Sequence, residues 1–194
     1  MATAEARVTA TRFDEATAQD WERVVATGRA HYQAKAGVAA LQLLEVQKDE
    51  PSNGWPVNNY QHSLQCATKA LRNGEEEEYV VATLLHDIGQ DLDPHRHDRI
   101  AGTLLKPFLS SANHWMVANH QVFQLSFRTH SRFDTKAVEK FRGHPFFERT
   151  LRFCDIYDQS CFDPNYDWLP LSAFEPMVRR TFGRVMEERL RTPY

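Results

Sequence analysis

The sequence predicts an all-α protein, and three observations point to that class. No stretch alternates apolar and polar residues convincingly, as a half-buried strand would. Apolar residues instead recur at helical spacing, as Val38, Leu41 and Leu44 do. Residues that cap or end helices, such as Asn58 and Gly74, stand between these segments.

The expected helices follow one another along the chain. Residues 1 to about 18 are mostly small and polar, and we expect them to form a loose arm. The first helical segment is predicted over 18–47, with a break near Gly37. A loop over 49–56 contains two prolines and a tryptophan. Further helices are predicted over 58–73, 75–88, 100–109, 112–125, 134–141, 145–161 and 171–190. We divide the chain into an N-terminal extension (1–37), partly helical and a possible lid, and a main domain (38–194) with a C-terminal helix.

Composition excludes several classes of protein. A chain of 194 residues corresponds to one ordinary domain, and a net charge of −3 argues against a nucleic-acid partner. Three cysteines without a CxxC spacing indicate neither a disulfide framework nor a zinc ribbon. The chain has no apolar run of about 18 residues and no signal-peptide pattern at its start. We therefore expect a cytoplasmic protein without a membrane partner.

Histidine is the unusual component, with nine residues in the chain. The candidate metal ligands are polar side chains that interrupt or end apolar helices: His62, His86, Asp87, His97, His120 and Asp155. A buried aspartate without a partner is costly, so Asp155 needs a cation or strong hydrogen-bond donors. Considered singly, each histidine is more often a structural residue than a metal ligand. Together, the six side chains could enclose two metal ions, with one carboxylate bridging them. Imidazole and carboxylate donors without thiolate suit iron or manganese.

Four short pieces of the sequence resemble the HD-domain superfamily, over about residues 38 to 165. They are 62–67, 86–89, His97 ahead of 99–102, and 151–155. The resemblance is closest to the mixed-valent diiron oxygenases that cleave the carbon–phosphorus bond of 1-hydroxyalkylphosphonates. It implies an HD-domain helical bundle over 38–194, two iron ions (Fe2+/Fe3+) as cofactors and O2 as co-substrate. One iron would take His62, His86, Asp87 and Asp155, and the other would take His97, His120 and the shared Asp87.

The resemblance also suggests substrate contacts. Family members that act on a primary amine carry a glutamate where this chain has Trp55, and an aromatic face suits a quaternary ammonium, with about 0.5–2 kcal/mol of cation–π attraction. The alternative is a tryptophan that packs under its loop. Gln90 and Gln124 replace a histidine and a lysine of the family, which keeps hydrogen bonding but loses charge. Arg152 matches an arginine expected to hold the phosphonate, unless it is a surface residue.

The sequence leaves the roles of two further regions undecided. The basic connector around Arg128 either replaces the missing charge or is a solvated loop. Tyr32 is a candidate lid or iron-capping residue, because the family's loop tyrosine aligns with Ser52. We expect no catalytic residue beyond the diiron centre itself.

These features favour one reaction and leave others open. The leading hypothesis is O2-dependent cleavage of (R)-1-hydroxy-2-(trimethylammonio)ethylphosphonate to glycine betaine and phosphate, coupled to an upstream phosphonate hydroxylase. The same chemistry on 2-amino-1-hydroxyethylphosphonate would give glycine. A metal-dependent phosphohydrolase is a different class, and a mononuclear site of that kind would leave His97 and His120 without a role. A non-catalytic, metal-stabilised signalling module is the fourth hypothesis.

Overall fold

The structure, a computed structural model, describes residues 7–191; the first six residues of the predicted arm and the last three of the chain lie outside it. Within the described residues the protein has no strand, which confirms the all-α class. The α-helices are α1 (Ala18–Ala34), α2 (Val38–Val46), α3 (Asn59–Arg72), α4 (Glu77–Leu85), α5 (His97–Leu105), α6 (Ser111–Gln124), α7 (Phe147–Phe153) and α8 (Leu171–Arg191). None of these helices is both long enough and apolar enough to span a membrane.

Local signals explain most of the helix ends. Asn58 caps α3 through a capping box with Gln61, in which each side chain accepts a hydrogen bond from the other residue's backbone N–H. Gly37 precedes α2 with a φ of 75°. A side chain there would also meet Val178 of α8, because an added Cβ would lie 2.7 Å from that residue's Cγ1. The predicted break between the first two helices is therefore confirmed, and it requires glycine.

Four predicted helices differ from those observed. The helix expected over 75–88 is Glu77–Leu85, so His86 and Asp87 lie in the turn after it. The helix expected over 134–141 is a short 3-10 segment, Ala137–Phe141. The helix expected to begin at residue 100 begins at His97, so that this histidine lies in its first turn. The helix expected over 145–161 is α7 followed by a π-helical segment, Cys154–Asp158. A π-helical turn contains an extra residue, which changes the direction of the side chains that follow.

The core is formed where α3, α4, α5 and α6 pack together and meet α7 and the π-helical segment. Its largest fully buried side chains are aromatic: Tyr79, Phe123, Phe153, Tyr157 and Phe174. α8 packs on α2 and α4, and α1 packs on α8 without burying any of its own residues. Three of these helices, α3, α5 and α6, carry candidate histidines, and the fourth, α4, ends directly before His86. The packed core therefore holds these side chains in place.

Candidate metal centre

Six buried side chains converge in the middle of the bundle. They come from α3 (His62), the turn after α4 (His86 and Asp87), the start of α5 (His97), α6 (His120) and the end of the π-helical segment (Asp158). Five of these were predicted as metal ligands, whereas Asp158 replaces the predicted Asp155. At most 6% of the surface of any of the six residues is exposed. The cluster is therefore shielded from bulk water.

Every one of the four histidines binds a backbone carbonyl through Nδ1. His86, His97 and His120 each contact the carbonyl oxygen three residues earlier in the chain, at 2.7, 3.0 and 2.7 Å. His62 contacts the carbonyl oxygen of Cys161 at 3.1 Å. A carbonyl oxygen only accepts hydrogen bonds, so each Nδ1 must carry the proton. In a neutral ring this leaves the lone pair on Nε2, which is the arrangement usual for metal-binding histidines.

The four Nε2 atoms form two pairs, and each pair lies beside a different oxygen of Asp87. His62 and His86 lie with their Nε2 atoms 3.4 Å apart, and His97 and His120 with theirs 3.1 Å apart. Asp87 Oδ1 is 3.2 and 3.1 Å from Nε2 of His97 and His120, and its Oδ2 is 3.5 Å from Nε2 of His86 and 3.9 Å from that of His62. One carboxylate thus presents one oxygen to each pair, as a bridging ligand does.

Asp158 completes the first pair. Its Oδ1 lies 3.4 Å from Nε2 of His62 and 3.9 Å from that of His86. The ligand atoms of His62, His86 and Asp158 all lie within 4.8 Å of one another. In the second pair, the Nε2 atoms of His97 and His120 lie within 3.2 Å of each other and of Asp87 Oδ1. Metal–ligand bonds of about 2.0–2.2 Å to nitrogen and oxygen are compatible with these separations. The residues present therefore fit two metal ions.

Without a metal ion, each histidine pair is expected to hold a proton in its place. Two facing lone pairs repel each other, so each pair needs a proton or a metal ion between its rings. Burial alone would lower the pKa of His62, but the hydrogen-bonded carboxylate of Asp158 outweighs it and raises that pKa to about 9. Burial likewise opposes protonation of His97, whereas Asp87 raises its pKa to about 9. Without metal, each pair therefore contains one histidine that readily holds a proton.

The two carboxylates remain ionised in this buried position. Burial would raise the pKa of Asp87, but His86 and His97 outweigh it and hold that pKa well below its usual value. The pKa of Asp158 is likewise lowered, chiefly because the hydrogen bond with His62 overcomes the effect of burial. Burial lowers the pKa of His86 to about 4, despite the neighbouring Asp87. Two ionised carboxylates inside an apolar core are the charge that metal cations would neutralise.

Asp155, predicted as a metal ligand, is not among the side chains that the structure brings together at this centre. Its side chain is exposed and accepts a hydrogen bond from Gln159. The buried positions of this region are 150, 153, 154, 157 and 158, which follow helical spacing and leave 155 on the outer face. That spacing, continued one turn beyond Phe153 and Cys154, is the signal that could have identified Asp158 from the sequence.

Arg152, predicted to hold the phosphonate, has its described polar contacts with Glu75 and Tyr157 and with none of the six clustered side chains. Its Nη2 is 2.6 Å from Oε1 of Glu75, in an ion pair between α7 and the turn before α4. Together with Asp155, Ser126 and Glu148 it lines a cavity of about 330 Å³. The guanidinium is therefore already paired.

Trp55 is linked to the cluster by a column of stacked rings. Phe162, which was not predicted, stacks on His62 with a centroid distance of 4.5 Å. Trp55 stacks on the ring of Phe162, also at 4.5 Å, and 59% of its surface is exposed. Trp55 is therefore joined to the first histidine pair through Phe162, which lies between them. No sequence signal marked Phe162, because its loop is joined to α3 only by tertiary contacts.

The remaining predicted residues occupy different environments. Gln124 donates a hydrogen bond from Nε2 to Asp158 Oδ2 at 2.7 Å, so it contacts a candidate ligand. Gln90 lies in the turn after Asp87, where its backbone N–H donates to the Asp87 carbonyl oxygen. Tyr32 lies on α1 with 54% of its surface exposed and its ring edge against His31. The structure therefore does not bring Tyr32 to the cluster.

The bridging aspartate is also held from its backbone side. Gln47, which is fully buried, donates from Nε2 to the Asp87 carbonyl oxygen at 2.9 Å. Asn59 of α3 donates from Nδ2 to Gln47 Oε1, again at 2.9 Å. These side chains join the turn of Asp87 to α3 and to the segment that leads into the Trp55 loop. Neither residue was identified from the sequence.

Comparison with known proteins gives two matches. The family model described as HD domain matches residues 59–156, which include the four histidines and Asp87 but end two residues before Asp158. The chain is also 36% identical over 74 residues to [1-hydroxy-2-(trimethylamino)ethyl]phosphonate dioxygenase (glycine-betaine-forming) of Leisingera caerulea. That alignment covers 32% of this chain and 38% of the relative. The similarity thus spans well under half of the relative's length.

Proposed function

This chain belongs to the HD domain family, and we propose that it is a dinuclear metal oxygenase that uses O2 to cleave the carbon–phosphorus bond of a hydroxylated phosphonate. The observation that carries this proposal is the pairing of four Nε2 atoms on the two oxygens of Asp87. The printed activity of the Leisingera caerulea relative supports the choice of reaction.

Two ions are proposed because the second histidine pair would be idle in a mononuclear site. His97 and His120 face the Asp87 oxygen that points away from His62 and His86. A centre with nitrogen and oxygen donors suits iron, and we propose two iron ions in the Fe2+/Fe3+ state. When bound, these ions would supply the activation of O2 and the binding of substrate oxygens.

The protein's own contribution is to hold and shield this centre. The four carbonyl contacts to Nδ1 fix the tautomer and orientation of each ring. Phe153 presents its ring to the edges of His86 and His120, at centroid distances of 5.2 and 6.1 Å. The second pair has only His97, His120 and the shared Asp87 as partners within the described residues. That arrangement leaves more of the coordination sphere to substrate.

The proposed substrate is (R)-1-hydroxy-2-(trimethylammonio)ethylphosphonate, cleaved to glycine betaine and phosphate. The printed substrate of the Leisingera caerulea relative supports a quaternary ammonium, and the column of aromatic rings that Trp55 and Phe162 form beside His62 offers the kind of surface that would receive it. A trimethylated nitrogen has no N–H to donate, so it gains from an aromatic face and has no need of a carboxylate. The hydroxyl on C1 would have to be installed beforehand by a hydroxylase.

A reaction assay tests the proposal. Protein loaded anaerobically with iron is given the trimethylammonio substrate, and phosphate and glycine betaine are measured with and without O2. We expect both products only with O2, and slower turnover of 2-amino-1-hydroxyethylphosphonate. Release of phosphate from a phosphate ester without O2, with the phosphonate left intact, would instead identify a phosphohydrolase.

Trp55→Glu tests the substrate assignment. We expect the ratio of kcat/KM for the trimethylated over the unmethylated substrate to fall about 2- to 30-fold, which corresponds to the range of cation–π energies. Trp21→Glu is the matched control, because Trp21 is an exposed tryptophan on α1. An unchanged ratio in Trp55→Glu would remove Trp55 from the substrate site.

A further inference from the structure

A chain of two hydrogen bonds leads from the protein surface to Asp158. Arg128 donates from Nη2 to Gln124 Oε1 at 3.3 Å, and Gln124 donates from Nε2 to Asp158 Oδ2 at 2.7 Å. We infer that Gln124 and Arg128 are positioning residues, which turn Asp158 so that a single carboxylate oxygen faces the first histidine pair.

The two neighbours of Gln124 determine the direction of its amide. Arg128 can only donate hydrogen bonds, so it requires the amide oxygen on its side. The ionised carboxylate of Asp158 can only accept, so it requires the amide nitrogen. Both requirements are met by one orientation, and the opposite orientation would violate both. Arg128 therefore acts on Asp158 through the amide of Gln124.

The consequence for Asp158 follows from its two oxygens. Oδ1 faces the Nε2 atoms of His62 and His86, whereas Oδ2 accepts the short hydrogen bond from Gln124. A hydrogen bond from an uncharged amide to a carboxylate is strengthened by the charge it meets. Engaging Oδ2 in this way favours one-oxygen binding of a metal ion and keeps another coordination position open.

Arg128 is itself oriented at the surface. Its guanidinium lies 4.8 Å from the centroid of the Phe133 ring, in a cation–π contact within the connector that follows α6. The residue is exposed, so its replacement leaves the core intact. This connector was predicted either to replace the positive charge that the family's lysine supplies or to be a solvated loop. In the structure one of its side chains, Arg128, is linked to Asp158 through Gln124.

Metal affinity, measured apart from turnover, tests this inference. The background is His97→Ala, in which the His62, His86 and Asp158 set is intact, and the probe is Zn²⁺ added to metal-free protein in competition with a chromogenic chelator. We expect Gln124→Met to weaken Zn²⁺ binding by about 10- to 100-fold, the usual effect of removing a partner of a ligand. Arg128→Gln is expected to weaken it less, and Arg128→Lys to restore most of it.

Coordination number gives a second readout. The intensity of the visible absorption of bound Co²⁺ depends on its coordination number. We expect this intensity to change in Gln124→Met, because an Asp158 carboxylate without its hydrogen-bond partner can bind the ion with both oxygens. Arg132→Gln, an exposed arginine of the same connector, is the matched control and should match the parent protein in both measurements.

The outcomes separate this inference from the proposed function. Parent-like Zn²⁺ affinity in Gln124→Met, with an unchanged melting temperature, would overturn the inference. Should Gln124→Met fail to fold, the surface variant Arg128→Gln decides, and parent-like affinity in it has the same meaning. The inference depends on only one part of the proposed function, the metal ion held by His62, His86 and Asp158. A wild-type protein that binds one ion at His62, His86 and Asp158 would therefore contradict the dinuclear oxygenase and leave the inference standing.

Discussion

Asp158 and Asp155 lie three residues apart and differ in burial, which makes them a matched pair for testing the ligand set. Asp158→Asn keeps the size of the side chain but removes the charge that faces His62 and His86. We expect this variant to retain about one metal ion per chain and to lose more than about 100-fold in activity, because losing a ligand should cost more than losing a residue that only supports one.

Asp155→Asn is the control for that change. Because Asp155 is exposed and bonded to Gln159, we expect both ions and full activity to remain. Metal analysis of the two purified variants under identical loading is the measurement. Loss of an ion from Asp155→Asn, with none lost from Asp158→Asn, would show that Asp155 and not Asp158 is the metal ligand.

The individual ligands differ in how far the sequence predicts them. His62 and His120 interrupt apolar helices, and His86 and Asp87 end one, so their burial follows from local pattern. Asp158 was missed because the prediction chose Asp155, directly after Phe153 and Cys154, and did not continue the helical spacing of buried positions one turn further to 157 and 158. The ion pair of Arg152 could not be predicted, because its partner Glu75 lies far away in the sequence and only the packing of α7 beside α4 brings the two together.

At the level of helices, the distance between α5 and α6 sets the second histidine pair. Gly102 of α5 faces Ala118 of α6, and an added Cβ would lie 2.6 Å from the Ala118 Cβ and 2.9 Å from its Cα. His97 and His120 are carried by these same two helices. Gly102→Ala would therefore force the helices apart close to the site.

Gly102→Ala is expected to destabilise the protein by about 1–3 kcal/mol, the usual effect of overpacking, and to weaken binding of the second ion. Thermal unfolding and metal titration measure the two effects. Gly183→Ala is the control, since no atom lies within 4 Å of an added Cβ there. The control should gain up to about 1 kcal/mol, because alanine favours helix. Equal stability of the two variants would contradict the close contact between α5 and α6.

Helix positions were largely predictable, because caps and apolar spacing are local properties. The Asn58 cap and the break at Gly37 are examples. The 134–141 segment was predicted as an α-helix and is a 3-10 turn, in which only Val138 is buried. Without an apolar face to pack, such a short segment lacks the tertiary contacts that stabilise most helices.

For the whole molecule, the metal-free protein should depend on pH in a defined direction. The pKa of His62 and that of His97 are raised to about 9 in the folded state, from an ordinary value near 6.5. Groups with raised pKa values stabilise the folded protein fully below about pH 6.5, and this contribution is lost as pH rises through about 9. The melting temperature of metal-free protein should therefore fall between pH 6.5 and 9.

Metal-loaded protein should lack that fall, since the ions replace the protons. Metal uptake by these sites should also release protons, and affinity should increase with pH over the same range. Calorimetric melting of both forms across the pH range is the measurement. A metal-free protein whose melting temperature rises between pH 6.5 and 9 would contradict the protonated histidine pairs.

The number of iron ions per chain tests the central claim most directly. Wild-type protein, reconstituted anaerobically with excess iron and freed of unbound metal, should contain about two ions, and His97→Ala and His120→Ala should each contain about one. A wild-type protein with a single ion, unchanged by either substitution, would contradict a dinuclear centre bridged by Asp87.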